Sequence, residues 1–210
     1  MDISSIRTTY SQAELSESDA NPLPAKQFEI WFNEAVNSEI TEVNAMTLAT
    51  ADKNGIPSAR IVLLKGLKNE GLVFFTNYNS KKSHDIFENP NVAVVFFWKE
   101  LERQVRIKGI VEKIDEAENN EYFNSRPFES RVGAIASPQS APITKFELEE
   151  NYKRILKSSS TESIKRPEHW GGFLINPMEW EFWQGRPGRL HDRLRYKKEN
   201  HIWKIERLAP

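Results

Sequence analysis

The alternation of apolar and polar positions divides the chain into one early helix and a following series of short strands. After Pro24, Phe28, Trp31 and Phe32 recur at helical spacing, which predicts an amphipathic first helix. From Asn44 onward the pattern changes to short β-rich runs separated by turn-forming pairs. The predicted strands cover 45–50, 58–64, 72–76, 92–98, 104–114, 172–175, 179–183 and 202–207. Their short links favour antiparallel pairing and closure into a small barrel.

Polar residues at three places predict helices around this barrel. Ser80 can cap a helix that ends near Glu88, and Asp115 with Glu118 opens a second. A third begins at the capping box formed by Thr144 and Glu147. The predicted fold class is therefore mainly β with peripheral helices (α+β). Residues 1–22 are polar and lack a consistent apolar period, so we expect a flexible arm before a single domain at 23–210.

Composition limits the possible chemistry. The 210 residues are 39% apolar and 28% charged, as in a globular domain, and the net charge of −1 provides no overall field for DNA or an anionic membrane. Without Cys there is no thiolate nucleophile or Cys-ligated metal, and the four His show no metal-ligand spacing. Any redox chemistry would need a bound organic cofactor. No signal peptide or membrane-spanning run is found, so we expect a cytoplasmic protein.

Two basic clusters are candidates for holding a phosphate. Arg60 and Lys65 stand at the two ends of an otherwise apolar strand. The stretch 75–82 passes from a strand end into a helix start, where free N–H groups, hydroxyls, Lys81 and Lys82 can converge on an anion. Solvated surface charges are the alternative for both clusters, and the second lacks the glycine spacing of a Walker loop.

A second phosphate site is predicted where Tyr122, Arg126 and Ser130 follow one another at intervals of four. On one continuous helix these three side chains share a face and offer hydrogen-bond donors, although Pro127 can break that helix. An unrelated helix terminus is the alternative.

The segment 180–193 concentrates aromatic, cationic and titratable side chains. Trp183 can lie against a planar ligand, while Arg189, His191 and Arg193 alternate as on one side of a strand. A nucleic-acid patch with interleaved aromatics is the rival interpretation, which the near-neutral charge disfavours.

Ordered motifs extend over nearly the whole chain. They are Arg60-Ile-Val-Leu-Leu-Lys65, Thr76-Asn77 with Ser80-Lys81-Lys82, Leu101-Glu102-Arg103-Gln104-Val105, Tyr122-Phe-x-Ser-Arg126-Pro127, Trp170-Gly171-Gly172-Phe173, Glu181-Phe182-Trp183-Gln184-Gly185, Arg189-Leu190-His191-Asp192-Arg193 and Trp203-Lys204-Ile205-x-Arg207-Leu208-Ala209-Pro210. Together they resemble the pyridoxamine/pyridoxine 5′-phosphate oxidase family. The chain departs from many members in having Phe75 where several have Tyr and Lys81 where many have Arg.

The resemblance implies an FMN-binding antiparallel split β-barrel that works as a homodimer with FMN at the subunit interface. The residues that it implies for FMN are Arg60, Ile61, Val62, Leu63, Leu64, Lys65, Phe75, Thr76, Lys81, Lys82, Gln104, Gln139, Ser140, Trp183 and Arg193. Those that it implies for the substrate are Arg7, Tyr10, Lys65, Tyr122, Arg126, Ser130, Arg189 and His191. Arg189 and His191 are the implied catalytic residues, at the pyridine ring and its reacting substituent. Arg7 and Tyr10 match an arm that closes over the site.

The function that the resemblance implies is oxidation of pyridoxamine 5′-phosphate and pyridoxine 5′-phosphate by O2 to pyridoxal 5′-phosphate, in vitamin B6 biosynthesis and salvage. H2O2 is released, together with ammonia from the amine. No metal, nucleic acid or membrane is implied as a partner. A flavin- or pyridoxal-phosphate-binding split barrel that acts as a non-catalytic carrier or sensor is the alternative.

Overall fold

The computed structural model describes residues 1, 3–5, 8–200 and 202–210. Five α-helices and nine β-strands form within these residues, and none of the helices combines the length and apolar character needed to cross a bilayer. The helices are α1 Pro24–Asn37, α2 Lys81–Glu88, α3 Glu116–Ser125, α4 Phe128–Ala136 and α5 Lys145–Ser158. The strands are β1 Ala45–Ala51, β2 Pro57–Leu63, β3 Gly66–Lys68, β4 Gly71–Asn77, β5 Asn91–Trp98, β6 Arg103–Lys113, β7 Trp170–Gln184, β8 Asp192–Glu199 and β9 Ile202–Arg207.

The strands form one antiparallel sheet that curls on itself. Its order is β2-β1-β5-β6-β7-β4-β3, and β8 and β9 extend it from β7. β2 and β3 lie at opposite ends of this order, although only Leu64 and Lys65 separate them in the chain. Since two residues span only about 7 Å, the two ends of the sheet must come together. The Lys65 N–H donates to the Val73 carbonyl in β4 (2.8 Å), and the Leu64 N–H donates to the carbonyl of Asn44, directly before β1 (2.9 Å). The two linking residues are therefore bonded near both ends of the sheet. The mainly β antiparallel barrel with peripheral helices agrees with the sequence prediction.

The C-terminal strands differ from the prediction. One strand, β7, replaces the two expected at 172–175 and 179–183. The chain continues through Pro177 because the β6–β7 register shifts between Lys108 and Gly109, so that Gly109 faces the proline. A bulge of this kind accommodates a residue that has no N–H to donate. β8 was not predicted as a separate strand, because its polar sequence leaves only Leu194 and Tyr196 on the buried face.

Helix α1 packs on the sheet, as predicted. Phe28 and Trp31 are buried, and the ring of Phe28 contacts the rings of Phe96 and Trp180 at centroid distances of 5.0 and 5.6 Å. Burying these aromatic rings fixes the inner face of the barrel, since each side chain of this size contributes about 1.5–3 kcal/mol.

Two of the three predicted helix caps are confirmed. The Asp115 side chain accepts from the Glu118 N–H, and Thr144 with Glu147 forms the full capping box. Ser80 occupies the N-cap position of α2 but makes no side-chain cap bond. Its hydroxyl instead accepts a hydrogen bond from the Lys82 ammonium (3.1 Å). The start of α2 therefore lies beside a charged side chain.

Candidate functional site

A cavity of about 850 Å³ lies between the edge of β2 and the end of β4, where the sheet does not close. Helices α2, α3 and α4 contribute its other walls. The predicted residues that line it are Arg60, Ile61, Val62, Leu63, Lys65, Phe75, Thr76, Lys81, Lys82, Tyr122, Arg126, Ser130, Gln139 and Ser140. Leu64 was predicted with them, but its side chain lies in the hydrophobic core. The cavity is large for a ligand pocket and can hold more than one small molecule.

β2 forms one wall of the cavity, and Arg60 and the apolar residues after it lie on this strand. In the described part of the chain β2 pairs only with β1, so the main chain along its other edge is free to bind a ligand. Ile61 points out of the sheet, whereas Arg60 lies opposite Leu48. The Arg60 guanidinium donates to Thr50 Oγ1 (2.8 Å) and to the Leu48 carbonyl (3.2 Å). Burial lowers the pKa of Arg60, yet a guanidinium stays charged at neutral pH.

Lys82 is a buried ammonium group with uncharged hydrogen-bond partners. It is 8% exposed, and its Nζ donates to Thr76 Oγ1 (3.0 Å), Ser80 Oγ (3.1 Å) and Gln139 Oε1 (3.4 Å). Among the residues that the structure describes, it takes part in no ion pair. Burial, and then the charge of Arg60, lowers the pKa of Lys82 to about 8. An anion bound here would offset the cost of desolvating the ammonium.

Asp85 organises the basic residues beside this cavity, and the sequence analysis missed it. The carboxylate is 1% exposed, accepts from Thr50 Oγ1 (2.8 Å) and forms an ion pair with Lys81. The Arg60 Nη2 lies 3.9 Å from it. Burial favours a raised pKa, but the hydrogen bonds from Lys81 and Thr50 prevail and lower it. The only sequence signal was the spacing of four between Lys81 and Asp85, which is also common on solvated helices.

The continuous helix expected through Tyr122, Arg126 and Ser130 is not present. α3 ends at Ser125, Arg126 has an extended backbone, and α4 begins only after Pro127. A proline disfavours helical geometry in the residue before it, which explains the break. All three predicted side chains nevertheless line the cavity from the two helices.

The Arg126 guanidinium is held in the cavity wall without a full set of partners. Its central carbon lies 4.5 Å from the centroid of the Trp170 ring. The rings of Phe75 and Tyr122 stack nearby at 3.7 Å. Nη1 of Arg126 is buried and has no hydrogen-bond partner among the described residues, and burial lowers the pKa of the side chain. A buried unpaired donor on a cation again favours an anionic ligand. Trp170, which the sequence analysis did not include among the site residues, supports this position.

The remaining predicted residues that the structure describes do not line this cavity. Gln104, Trp183 and Arg193 are directly opposite one another on β6, β7 and β8, so they share one face of the sheet. Arg193 donates to the buried Glu181 carboxylate (2.9 Å) and to the Ala209 carbonyl (2.7 Å). These residues form a second cluster on the same chain, which we call the β6–β8 row.

His191, Tyr10 and Trp183 bring three rings together at one end of that row. His191 lies 4.7 Å from Trp183 and 5.8 Å from Tyr10, between ring centroids. The Arg186 N–H donates to His191 Nδ1 (3.1 Å), so in the neutral ring Nε2 carries the proton. Arg7, predicted beside Tyr10, lies outside the described residues.

The expected alternation of Arg189, His191 and Arg193 on one strand is wrong. β8 begins only at Asp192, and Arg189 belongs to a short 3-10 turn. Gly188 and Arg189 have φ values of 66° and 62°, which turn the chain away from an extended path. Arg189 is therefore exposed on a tight turn at the end of the row.

Comparisons with known proteins give consistent matches. Residues 32–151 match a family model described as pyridoxamine 5′-phosphate oxidase, and residues 170–210 match one described as the pyridoxine 5′-phosphate oxidase C-terminal dimerisation region. Two curated relatives are both named pyridoxine/pyridoxamine 5′-phosphate oxidase. The one from Polynucleobacter asymbioticus is 53% identical over 208 residues, and the one from Burkholderia mallei is 51% identical over 211 residues. Each alignment covers 99% of this chain and 99% of the relative.

Two solved structures share the fold. PhzG from Burkholderia lata, in complex with tetrahydrophenazine-1-carboxylic acid, has a TM-score of 0.89 at 26% identity and covers 95% of this chain and 100% of its own. A pyridoxamine 5′-phosphate oxidase-related, FMN-binding protein from Nostoc punctiforme has a TM-score of 0.72 at 17% identity, with coverage of 87% and 97%. The curled sheet with its peripheral helices is therefore an established architecture.

Proposed function

The chain belongs to the pyridoxine/pyridoxamine 5′-phosphate oxidase family, and from this premise we propose that it oxidises pyridoxamine 5′-phosphate and pyridoxine 5′-phosphate to pyridoxal 5′-phosphate with O2. H2O2 is the second product, and the amine substrate also releases ammonia. The observation that carries the proposal is one cavity with two cationic positions, Lys82 and Nη1 of Arg126, that have no counter-charge among the described residues. Two phosphates, one on the cofactor and one on the substrate, would satisfy both positions.

The cofactor is FMN in this proposal, and the residues fit its phosphate. Lys82, Thr76 and Arg60 surround the inner end of the cavity with donors, and Lys81 adds charge at the rim. The free edge of β2 from Ile61 to Leu63 offers main-chain groups to a planar ring system. Lys65, Phe75, Gln139 and Ser140 complete the implied shell on this chain. When bound, FMN supplies a two-electron acceptor that takes a hydride from the substrate and is reoxidised by O2.

The substrate phosphate binds to Lys65, Tyr122, Arg126 and Ser130 in this proposal. Arg126 carries most of the interaction, because its guanidinium is already desolvated and its free Nη1 can donate to a phosphate oxygen. Lys65 and Ser130 are exposed, so their contribution is to guide and orient the anion. The preformed position of Arg126 against Trp170 lowers the entropy cost of binding.

Arg189 and His191 act at the substrate ring. The tautomer set by the Arg186 N–H leaves His191 with a proton on Nε2, which it can donate to a ring substituent. Arg189 holds the ring and stabilises developing negative charge. Replacing Arg189 with Ala is expected to reduce kcat/KM by about 100-fold, in the range found when one charge-stabilising donor is lost, and to leave the FMN content unchanged. Steady-state kinetics with the flavin absorbance as the control test this, and an unchanged kcat/KM would remove Arg189 from the mechanism.

A homodimer is needed to complete the site in this proposal. The cavity and the β6–β8 row hold different parts of the predicted FMN shell, and Gln104, Trp183 and Arg193 do not line the cavity of their own chain. The match of residues 170–210 to a dimerisation region supports an arrangement in which the row of one protomer faces the cavity of the other. A cytoplasmic location, the single domain at 23–210 and the mobile arm remain predictions.

The likeness to PhzG raises a second substrate class. PhzG is described in complex with a tricyclic carboxylic acid that has no phosphate. The cationic position at Arg126, in the same cavity as the cluster around Lys82, favours the phosphorylated substrate. A carrier or sensor of flavin or pyridoxal phosphate is the non-catalytic alternative.

Anaerobic addition of pyridoxamine 5′-phosphate to the purified protein tests the proposal. Bleaching of the flavin spectrum is expected, and readmitted O2 should be consumed in an oxygen electrode as the colour returns. The phosphate-free carboxylic acid found in the PhzG complex, tetrahydrophenazine-1-carboxylic acid, serves as the matched control. Binding of pyridoxal 5′-phosphate, with no O2 consumption when pyridoxamine 5′-phosphate is added, would indicate the carrier. Bleaching by the carboxylic acid and not by pyridoxamine 5′-phosphate would contradict the proposed substrate class.

A further inference from the structure

Residues 8–22 of the N-terminal arm lie along the C-terminal strands. It contains no helix or strand, yet Leu15 is 5% exposed and belongs to the main hydrophobic core. The arm therefore needs fixed points that do not depend on regular secondary structure.

The first fixed point is the carboxylate of Glu102. Its Oε2 accepts the N–H of Ser11 (2.8 Å) and the N–H of Gln12 (3.0 Å). Glu102 is 7% exposed and has a φ of 54°, a left-handed conformation that costs free energy in a residue with a side chain. Its carbonyl accepts from the Gly185 N–H (2.8 Å), which ties it to the turn that follows β7. A buried residue with a left-handed backbone thus provides the carboxylate that binds two main-chain donors of the arm.

The second fixed point is formed by Asp192 and Arg207. Asp192 accepts the Leu15 N–H (3.0 Å) through one oxygen and Arg207 Nη1 (2.7 Å) through the other. Arg207 Nη2 donates to the Leu15 carbonyl (3.0 Å) and pairs with Glu17. Both polar groups of the Leu15 main chain are therefore occupied, so this point holds the arm independently of Glu102.

The position of Tyr10 depends on the first fixed point. Tyr10 precedes Ser11 directly and packs on Gly185, where an added Cβ would lie 2.7 Å from Tyr10 Cγ. Its ring meets Trp183 edge-on at a centroid distance of 5.7 Å and lies beside His191. Gly185 thus leaves space for a ring that covers the proposed ring-binding end of the row.

We propose that Glu102 is a positioning residue that holds the arm so that Tyr10 covers Trp183 and His191. The proposal rests on the proposed function for what lies under Tyr10. Two charge-assisted hydrogen bonds to main-chain N–H groups fix the two residues that follow Tyr10. They therefore restrict the positions that the Tyr10 ring can adopt. Asp192 and Arg207 keep the arm docked at Leu15 when Glu102 is changed, so the change acts on the segment from Tyr10 to Gln12.

The test compares Glu102→Ala and Glu102→Gln with the exposed control Glu100→Gln in the full-length holoenzyme. Glu102→Ala should raise KM for pyridoxamine 5′-phosphate about tenfold, from the loss of bonds to a charged group, with a smaller effect on kcat and unchanged FMN content. Glu102→Gln should fall between Ala and wild type, because its amide oxygen still accepts both N–H groups without the charge. Hydrogen exchange at the amides of Ser11 and Gln12 should accelerate in Glu102→Ala, while the Leu15 amide stays protected.

A double-mutant cycle separates positioning from general stability. Tyr10→Ala should raise KM to a similar extent, and adding Glu102→Ala should have little further effect if Glu102 acts through Tyr10. Additive effects, unchanged exchange at Ser11 and Gln12, or loss of FMN in Glu102→Ala would overturn the proposal. Amide exchange does not depend on turnover, so the proposal is tested even if wild type consumes no O2, a result that would count against the proposed function alone.

Discussion

Replacing Lys82 with Met should have opposite effects on the FMN-free and the FMN-bound protein. Burial lowers the pKa of Lys82 from its ordinary 10.5 to about 8, and one pKa unit corresponds to about 1.4 kcal/mol. Holding this ammonium without an anion therefore costs the FMN-free protein about 3 kcal/mol at neutral pH. Since Met fills similar space but gives up the hydrogen bonds to two hydroxyls and a longer one to Gln139, we expect a net stabilisation of about 1 kcal/mol.

The same substitution should weaken FMN binding. The variant lacks a charge-assisted bond to the phosphate, which corresponds to a rise in Kd of about 10- to 100-fold. Thermal unfolding without FMN and fluorescence titration with FMN measure the two effects, and Lys157→Met on the exposed face of α5 is the matched control. A destabilised FMN-free variant with unchanged FMN affinity would refute the interpretation of Lys82 as an anion site.

The pH dependence gives an independent check of the same residue. Between pH about 8 and 10.5 the unfolded chain binds more protons at Lys82 than the folded chain, so the stability of the FMN-free wild type should rise with pH in this window. FMN affinity should fall above pH about 8 by up to about tenfold per pH unit, because the free protein loses the ammonium. Lys82→Met should lose both dependences.

Two further predictions concern residues around the cavity. Arg126→Met should raise KM for pyridoxamine 5′-phosphate about 10- to 100-fold without changing the FMN content, which kinetics and flavin absorbance measure together. Equal loss with a phosphate-free substrate analogue would contradict this role. Asp85→Asn should reduce the loss of stability on acidification, which flattens the acid limb of the stability curve. The lowered pKa of Asp85 stabilises the folded wild type above pH 3.8, its ordinary pKa, and this contribution is lost as the pH falls further. Urea unfolding at several pH values tests this, and an unchanged acid limb would exclude the contribution.

The parts of the fold that the sequence predicted were those fixed by local patterns. Alternating apolar residues in β1 and β5 and the capping residues Asp115 and Thr144 act over a few positions, and the structure shows them where expected. β8 was not predicted because its charged residues form ion pairs with neighbouring strands, as Arg195 does with Glu206. Such pairs form only after the strands have met.

In the candidate site, too, local features could be predicted from the sequence and contacts between distant residues could not. Donor types identified Lys82 and Arg126, but a short polar helix does not reveal that Asp85 is buried against β1. Sequence spacing also could not show that Gln104 and Trp183 lie outside the cavity of their own chain, since that depends on how the sheet curls. Both features depend on contacts between residues distant in the chain.

The two proposed anion positions differ in a way that suits their ligands. Lys82 and Thr76 are buried at the inner end of the cavity, whereas Lys65 and Ser130 are exposed at its outer part. Electrostatic attraction is stronger where water is excluded, and tighter binding within one site is mostly expressed as slower release. The inner position therefore suits a cofactor retained over many turnovers, and the outer position suits a substrate that must leave as product. In this proposal we expect the half-buried Arg126, whose Nη1 has no hydrogen-bond partner among the described residues, to slow that product release.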